Sequence, residues 1–264
     1  MRSNYFYLIE LAYLGYKYHG YAIQPQHKTI QGQLEKTIRY ILGKERPFKT
    51  LGCSRTDARV SAKQFFTELF LDSVLEDEAQ FVEDIKKNLP QDIHFISFKK
   101  VDSKFNVIND VDYKTYTYTF ATGKAYNAFN APYIMHFRED LDIDKMMQAT
   151  KLYTGRHNFF LFQTGKVNGS EFEKTVDYCS LEKKENFSLP ATCEQEIYQF
   201  TIQSKGFIRY QIRMMMGFLV EIGRGERSIE ELKQALKADE TVRKLCFVAP
   251  AHGLLLNEVK FKDA

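Results

Sequence analysis

Two apolar periods alternate along this chain, and they run through the same order twice. Residues 5–13 are aromatic and aliphatic and read as a strand, and Gly15, Gly20 and Pro25 mark the loop that follows. Ile30, Leu34, Ile38, Ile41 and Leu42 then recur at helical spacing, with Thr29 as N-cap and Gly43 as stop. Short strands are predicted at 47–52 and 64–71, an amphipathic helix at 78–89 stopped by Pro90, and a strand at 93–101. The second half repeats the order. It predicts strands at 113–122, 175–182, 196–205 and 254–261, and helices at 144–153 (closed by Gly155) and 208–222, with an extra helix opened by the capping box Ser228-x-x-Glu231. Strand, helix, strand, strand, helix, strand is the ferredoxin-like plan, and the repeat is one of architecture, since the halves share no visible residue pattern. The expected class is therefore α+β: one domain over 1–108, a second over 109–264, and a mixed, mainly antiparallel sheet with a central cleft.

Two such halves need a large core, and 264 residues with 44% hydrophobic and 14% aromatic content supply one. The notable apolar run at 214–220 is far shorter than the roughly 18 to 20 residues that span a bilayer. An acid at Glu10 and the lack of a small-residue cleavage site argue against secretion. Cys53, Cys179, Cys193 and Cys246 form no C-x-x-C pair, so we expect a reduced, cytoplasmic protein without a zinc site. The histidines show no metal-ligand spacing, and no glycine-rich phosphate loop occurs, so neither metal nor nucleotide cofactor is expected. A net charge of +3 is too small to establish a nucleic-acid partner.

Chemistry-bearing residues gather in three places. The polar stretch 52–62 sets Arg55 and Asp57 in a loop between apolar strands, where active sites concentrate; the plainer reading is an Asp that caps a turn or pairs with Arg55. In the stretch 206–220, Arg209, Arg213 and Gly217 fall four apart on one expected helix face. Arg213 lies among apolar residues, so its permanent charge calls for a carboxylate or phosphate, in a structural ion pair or as the clamp of a catalytic carboxylate, unless the side chain snorkels to solvent. The window 205–227 carries five basic and two acidic residues, and Met214 to Met216 read as core filler. Tyr116, Tyr118 and Phe120 share one side of a strand, which suits either a core or a platform for a nucleobase.

Taken together these motifs resemble the tRNA pseudouridine synthase A family. Arg55-Thr-Asp57-Ala-Arg-Val-Ser-Ala62 is similar to its signature R-T-D-x-G-V-x-A. Thr29-Ile-Gln-Gly-Gln-Leu-Glu35, Asn88-Leu-Pro-Gln-Asp-Ile93, Lys114-Thr-Tyr116-Thr-Tyr118, Gly155-x-x-Asn-Phe159-x-x-Phe162, Gly206-Phe207 through Arg213, and Ala249-Pro-Ala-His-Gly253-Leu254 follow the family order. The resemblance implies a pseudouridine synthase fold and a homodimer that acts on tRNA at positions 38 to 40 of the anticodon arm, without cofactor. It also implies that Asp57 is the catalytic carboxylate and that Arg55 and Arg213 are its basic neighbours. Tyr116 and Leu254 would flank the flipped uracil; Phe207, Arg209 and, from its place two residues after Asp57, Arg59 are further candidate substrate contacts. A base must leave its stack to be reached, which accounts for an aromatic platform and a cationic rim.

Three departures stand out. Arg59 replaces the signature glycine, which strains the loop if that position needs positive φ. The usual F-x-A-R reads Phe105-Asn-Val-Ile108, and G-W-x-x-Q reads Gly20-Tyr-Ala-Ile-Gln24. The rival class is an RNA-binding protein: an inactive relative of the same fold, an RNA chaperone, or tandem RRM-like modules, which also display aromatic residues on a sheet.

Overall fold

A computed structural model describes residues 4–124, 127–164, 172–185, 196–239, 241–243 and 247–262. Cys193 and Cys246 lie outside the described residues, while Cys53 and Cys179 are buried and form no disulfide. The chain forms two compact units, residues 1–112 with 256–264, and residues 113–255.

The first unit contains β1 (Tyr5–Tyr13), α1 (Ile30–Leu42), β2 (Phe48–Gly52), β3 (Ser61–Leu71), α2 (Glu78–Asn88) and β4 (Ile93–Lys100). Its strands run β4-β1-β3-β2, each pair antiparallel, which is the ferredoxin-like order expected from the element sequence. The cap expected at Thr29 forms, and Asp77 supplies a second, unexpected one. Thr29 accepts the Gly32 N–H and Asp77 accepts the Gln80 N–H, capping α1 and α2. Leu89, restricted by Pro90, turns extended and ends α2. Ile30, Leu34 and Ile38 of α1 join Phe81 and Ile85 of α2, all buried, in the core of this unit.

β3 also carries a buried carboxylate. Glu68 is 1% exposed and accepts the Val107 N–H at 3.2 Å. Burial pushes its pKa up; the Val107 hydrogen bond pulls it partly down and nearby Asp110 adds to the rise. A carboxyl whose folded pKa exceeds its unfolded one favours the protonated form, so stability is lost as pH rises through that interval. Glu68→Gln keeps an acceptor for Val107, so the variant is expected to gain stability relative to wild type as pH rises above the ordinary glutamate range, read from urea midpoints. A difference independent of pH would refute this.

The second unit takes in most of β5 (Val111–Thr122), then β6 (Met135–Phe137), α3 (Ile143–Thr150), β7 (Gly155–Asn158), β8 (Glu173–Val176), β9 (Tyr178–Lys184), β10 (Ile197–Ser204), α4 (Gln211–Gly223) and α5 (Ile229–Ala235). The final strand, β11 (Leu254–Phe261), begins in this unit and continues into the first, where the Val259 N–H donates to Gln64 Oε1 at 3.0 Å. β5, β10 and β9 pair antiparallel, and β6 adds parallel to the end of β5. The capping box of Ser228 and Glu231 is complete.

Three expectations for this unit need correction. The expected helix at 208–222 begins only at Gln211, because Tyr210 sits at φ 64, a left-handed conformation no α-helix can contain. Arg209 therefore precedes α4 and does not share a helix face with Arg213 and Gly217. The helix expected to reach residue 153 ends at Thr150 and closes through a tighter 3₁₀ turn, Lys151–Tyr153. The strand expected over 175–182 breaks at Asp177, where the chain passes from a hairpin with β7 to pairing with β10. β6 and β7 are too short to show any period.

Candidate active site

Residues 53–60 leave β2 and enter β3 as a loop carrying Arg55, Asp57 and Arg59. The Cys53 N–H donates to Phe66 O, and the Val60 N–H to Asp57 O at 3.2 Å, closing a tight turn over residues 57–60. Arg59, third in that turn, has φ 69, so the position does require positive φ. This is the type II pattern, in which a glycine at the third position has no β-carbon to clash. Arg55 and Arg59 are exposed and Asp57 is half-buried. The guanidinium of Arg59 lies 5.9 Å from the centroid of the exposed Tyr16 ring.

Arg59→Gly is expected to stabilise the fold by about 1 kcal/mol or less, the relief of a left-handed side chain being partly offset by the extra entropy of glycine when unfolded. On the resemblance drawn from the sequence, it is also expected to keep the chemical step while lowering the salt dependence of RNA binding by about one phosphate contact. Denaturant midpoints, single-turnover rates and a salt titration of affinity check the three parts. An inactive wild type switched on by the glycine would overturn the expectation.

The loop lies against residues 14–20. The Arg59 N–H donates to Tyr18 O at 2.9 Å, and the hydroxyls of Tyr13 and Thr56 share a hydrogen bond of 3.1 Å. At Gly20 a β-carbon would stand 2.3 Å from Thr56 O and 3.2 Å from the carbonyl carbon of Asp57. In the sequence Gly15 and Gly20 mark a loop, and Gly20 opens the segment similar to G-W-x-x-Q, but nothing in their spacing shows that each meets another backbone.

In the second unit, Tyr116 is buried on β5 with its ring edge-on to Phe207, the centroids 5.4 Å apart. Tyr118 and Phe120, on the same side of β5, are fully buried core residues. The Tyr118 hydroxyl donates to Pro250 O at 2.8 Å, and burial drives its pKa well above the ordinary value. Arg209 and Arg213 lie against the one Tyr210 ring, 5.0 and 5.2 Å from its centroid. Arg213 is tied twice to one residue: its Nε donates to Ala249 O at 2.7 Å and its carbonyl accepts the Ala249 N–H at 3.1 Å. A β-carbon at Gly217 would lie 2.2 Å from Phe247 O, so α4 packs directly on this segment, which leads to buried Leu254.

Part of the basic window 205–227 is engaged within the fold. Arg227 is buried and pairs with Glu221, donates to Arg243 O at 2.8 Å and lies over the Phe218 ring; Arg224 pairs with Glu139. A buried guanidinium without such partners would cost several kcal/mol, so part of this charge serves the fold. Met214, Met215 and Met216 are core residues, as expected.

The comparisons with known proteins agree with these motifs. A family described as tRNA pseudouridine synthase matches residues 149–262. The tRNA pseudouridine synthase A of Mesoplasma florum is 34% identical over 261 residues, covering 97% of this chain and 99% of that protein. The chain belongs to the tRNA pseudouridine synthase A family. The protein of the same name from Brevibacillus brevis is 31% identical over 252 residues, 95% of this chain and 97% of that one. Membership makes the chain an isomerase of the pseudouridine synthase class. Among the described residues no helix is long and apolar enough to cross a membrane, and no group of His, Cys, Asp or Glu is arranged as metal ligands.

For Arg213, a change to Lys is expected to slow turnover by about 10- to 100-fold, because the ammonium cannot reproduce the planar fork and loses the Nε tie to Ala249. Unchanged turnover would leave Arg213 a packing residue.

Proposed function

We propose that this chain converts uridine to pseudouridine in the anticodon arm of tRNA, at positions 38 to 40, with Asp57 as the reacting carboxylate. The observation that carries this reading is the loop itself: a half-buried aspartate in a closed turn between two strands, within a stretch that follows the family signature. The reaction breaks the N1 to C1′ bond, turns the base and forms the C5 to C1′ bond; the C5 proton is lost and N1 regains one, with no net oxidation. A carboxylate is suited to this as nucleophile or base near the ribose. Arg55 and Arg213 act as the basic residues that serve the carboxylate, Tyr116 and Leu254 as the apolar walls for the uracil, and Phe207, Arg59 and Arg209 as further substrate contacts. The relatives named above are called tRNA pseudouridine synthases, which supports tRNA as substrate. The working form is a homodimer in the cytoplasm.

Incubating the purified chain with tRNA transcripts and mapping pseudouridine tests the reading. Product confined to the three anticodon-arm positions is expected, with none where cytidine replaces uridine; product elsewhere would move the site, and no product would reject the function. Light scattering at the assay concentration checks the dimer.

A further inference from the structure

We propose that Tyr18 and Asp92 are positioning residues for the Asp57 carboxylate, acting through residues 14–20, on which the turn at 57–60 rests. The inference depends on the assignment of Asp57 above. Backbone meets backbone at both ends of the turn. At its start, Gly20 packs against Thr56 and Asp57. At its end, a β-carbon on Gly15 would fall 1.9 Å from Val60 O, and the Gly15 N–H donates to Ser61 Oγ at 2.9 Å. Between them Tyr18 O takes the Arg59 N–H. With no layer of side chains between the two segments, a shift of one moves the other.

Asp92 holds the supporting segment at two points. Its carbonyl accepts the Leu14 N–H at 2.9 Å, and its Oδ1 accepts the Tyr18 hydroxyl at 2.6 Å. Tyr18 is 1% exposed, and the Lys28 ammonium lies 4.6 Å from its ring centroid, so the ring has little room to turn. Burial, together with the Asp92 carboxylate, holds the phenol above its usual range, and the hydroxyl stays a donor at working pH. Asp92 belongs to the Asn88 to Ile93 motif, for which the sequence suggested no role. Three stretches far apart in the chain are thereby joined behind the reactive loop. A displacement of about 1 Å at a reacting group costs on the order of 100-fold in rate, so a small loosening here is visible in catalysis.

The test uses the full chain with a tRNA transcript under single-turnover conditions, together with RNA affinity and thermal unfolding. Tyr18→Phe and Asp92→Ala are expected to slow the reaction about 10- to 100-fold, with affinity held within about threefold. Asp92→Asn keeps an acceptor oxygen for Tyr18 and is expected to restore the rate to within a few fold. Wild-type rates in Tyr18→Phe and Asp92→Ala would overturn the proposal. So would an Asp92→Asn as slow as Asp92→Ala, or a defect that disappears well below each variant's unfolding midpoint. Turnover retained in Asp57→Ala would instead remove the assignment of Asp57, and this proposal with it. An inactive Asp57→Ala beside fully active Tyr18 and Asp92 variants removes this proposal alone.

Discussion

Asp57→Asn is expected to abolish pseudouridine formation, by at least about four orders of magnitude in single-turnover rate, as losing a reacting group does elsewhere. Asparagine is nearly isosteric, so the turn closed by the Val60 N–H on the backbone carbonyl of residue 57 survives the change. RNA affinity is expected to stay within a few fold, because phosphate contacts dominate binding and a neutral side chain removes only repulsion. Filter binding and mapping of the modified base measure the two parts separately. Retained turnover would sink the role assigned to Asp57. Joint loss of activity, binding and cooperative unfolding would make it a structural residue.

Gly20→Ala is expected to bring the next largest loss, about 100-fold or more in turnover, from a single methyl group. The added carbon would have to occupy a place 2.3 Å from Thr56 O, and the φ of 90° at Gly20 is itself unfavourable for alanine. The collision is with backbone, so one of the two segments has to move, and the one it meets carries Asp57. A change of this kind also lowers stability by a few kcal/mol, so turnover is to be compared well below the unfolding midpoint. A folded Gly20→Ala with wild-type turnover would show that the loop tolerates displacement.

The contrast between Arg59 and Arg227 shows which facts were local. At Arg59 the family pattern alone pointed to a glycine position, and φ 69 agrees with it, since a tight turn is settled by a few consecutive residues. At Arg227 the charge count over 205–227 shows only that the window is basic. The side chain is buried against Glu221 and Phe218, a placement that depends on where α4 packs. Likewise Tyr116, Tyr118 and Phe120 look alike as alternating aromatics, yet Tyr118 is tied to Pro250, 132 residues away, while Tyr116 meets Phe207. Tyr210 is a third case. Its helical spacing to Gln211 and beyond was legible, but nothing in the residue type announced a left-handed backbone.

By itself, then, the amino-acid order determined most of the longer strands and helices, the caps at Thr29 and Ser228, the ferredoxin-like plan of the first unit, and the loop in which Asp57 stands. These depend on hydrophobic period, capping and turn chemistry, all acting over a few neighbouring residues. Only the tertiary structure decided that Gly15, Tyr18 and Gly20 support that loop, that Asp92 holds Tyr18, that Arg213 is tied to Ala249, and that Arg227 is withdrawn from solvent. Each joins segments that are distant in the chain. Such contacts arise from close packing and from the need to satisfy buried polar groups, and no local period records either.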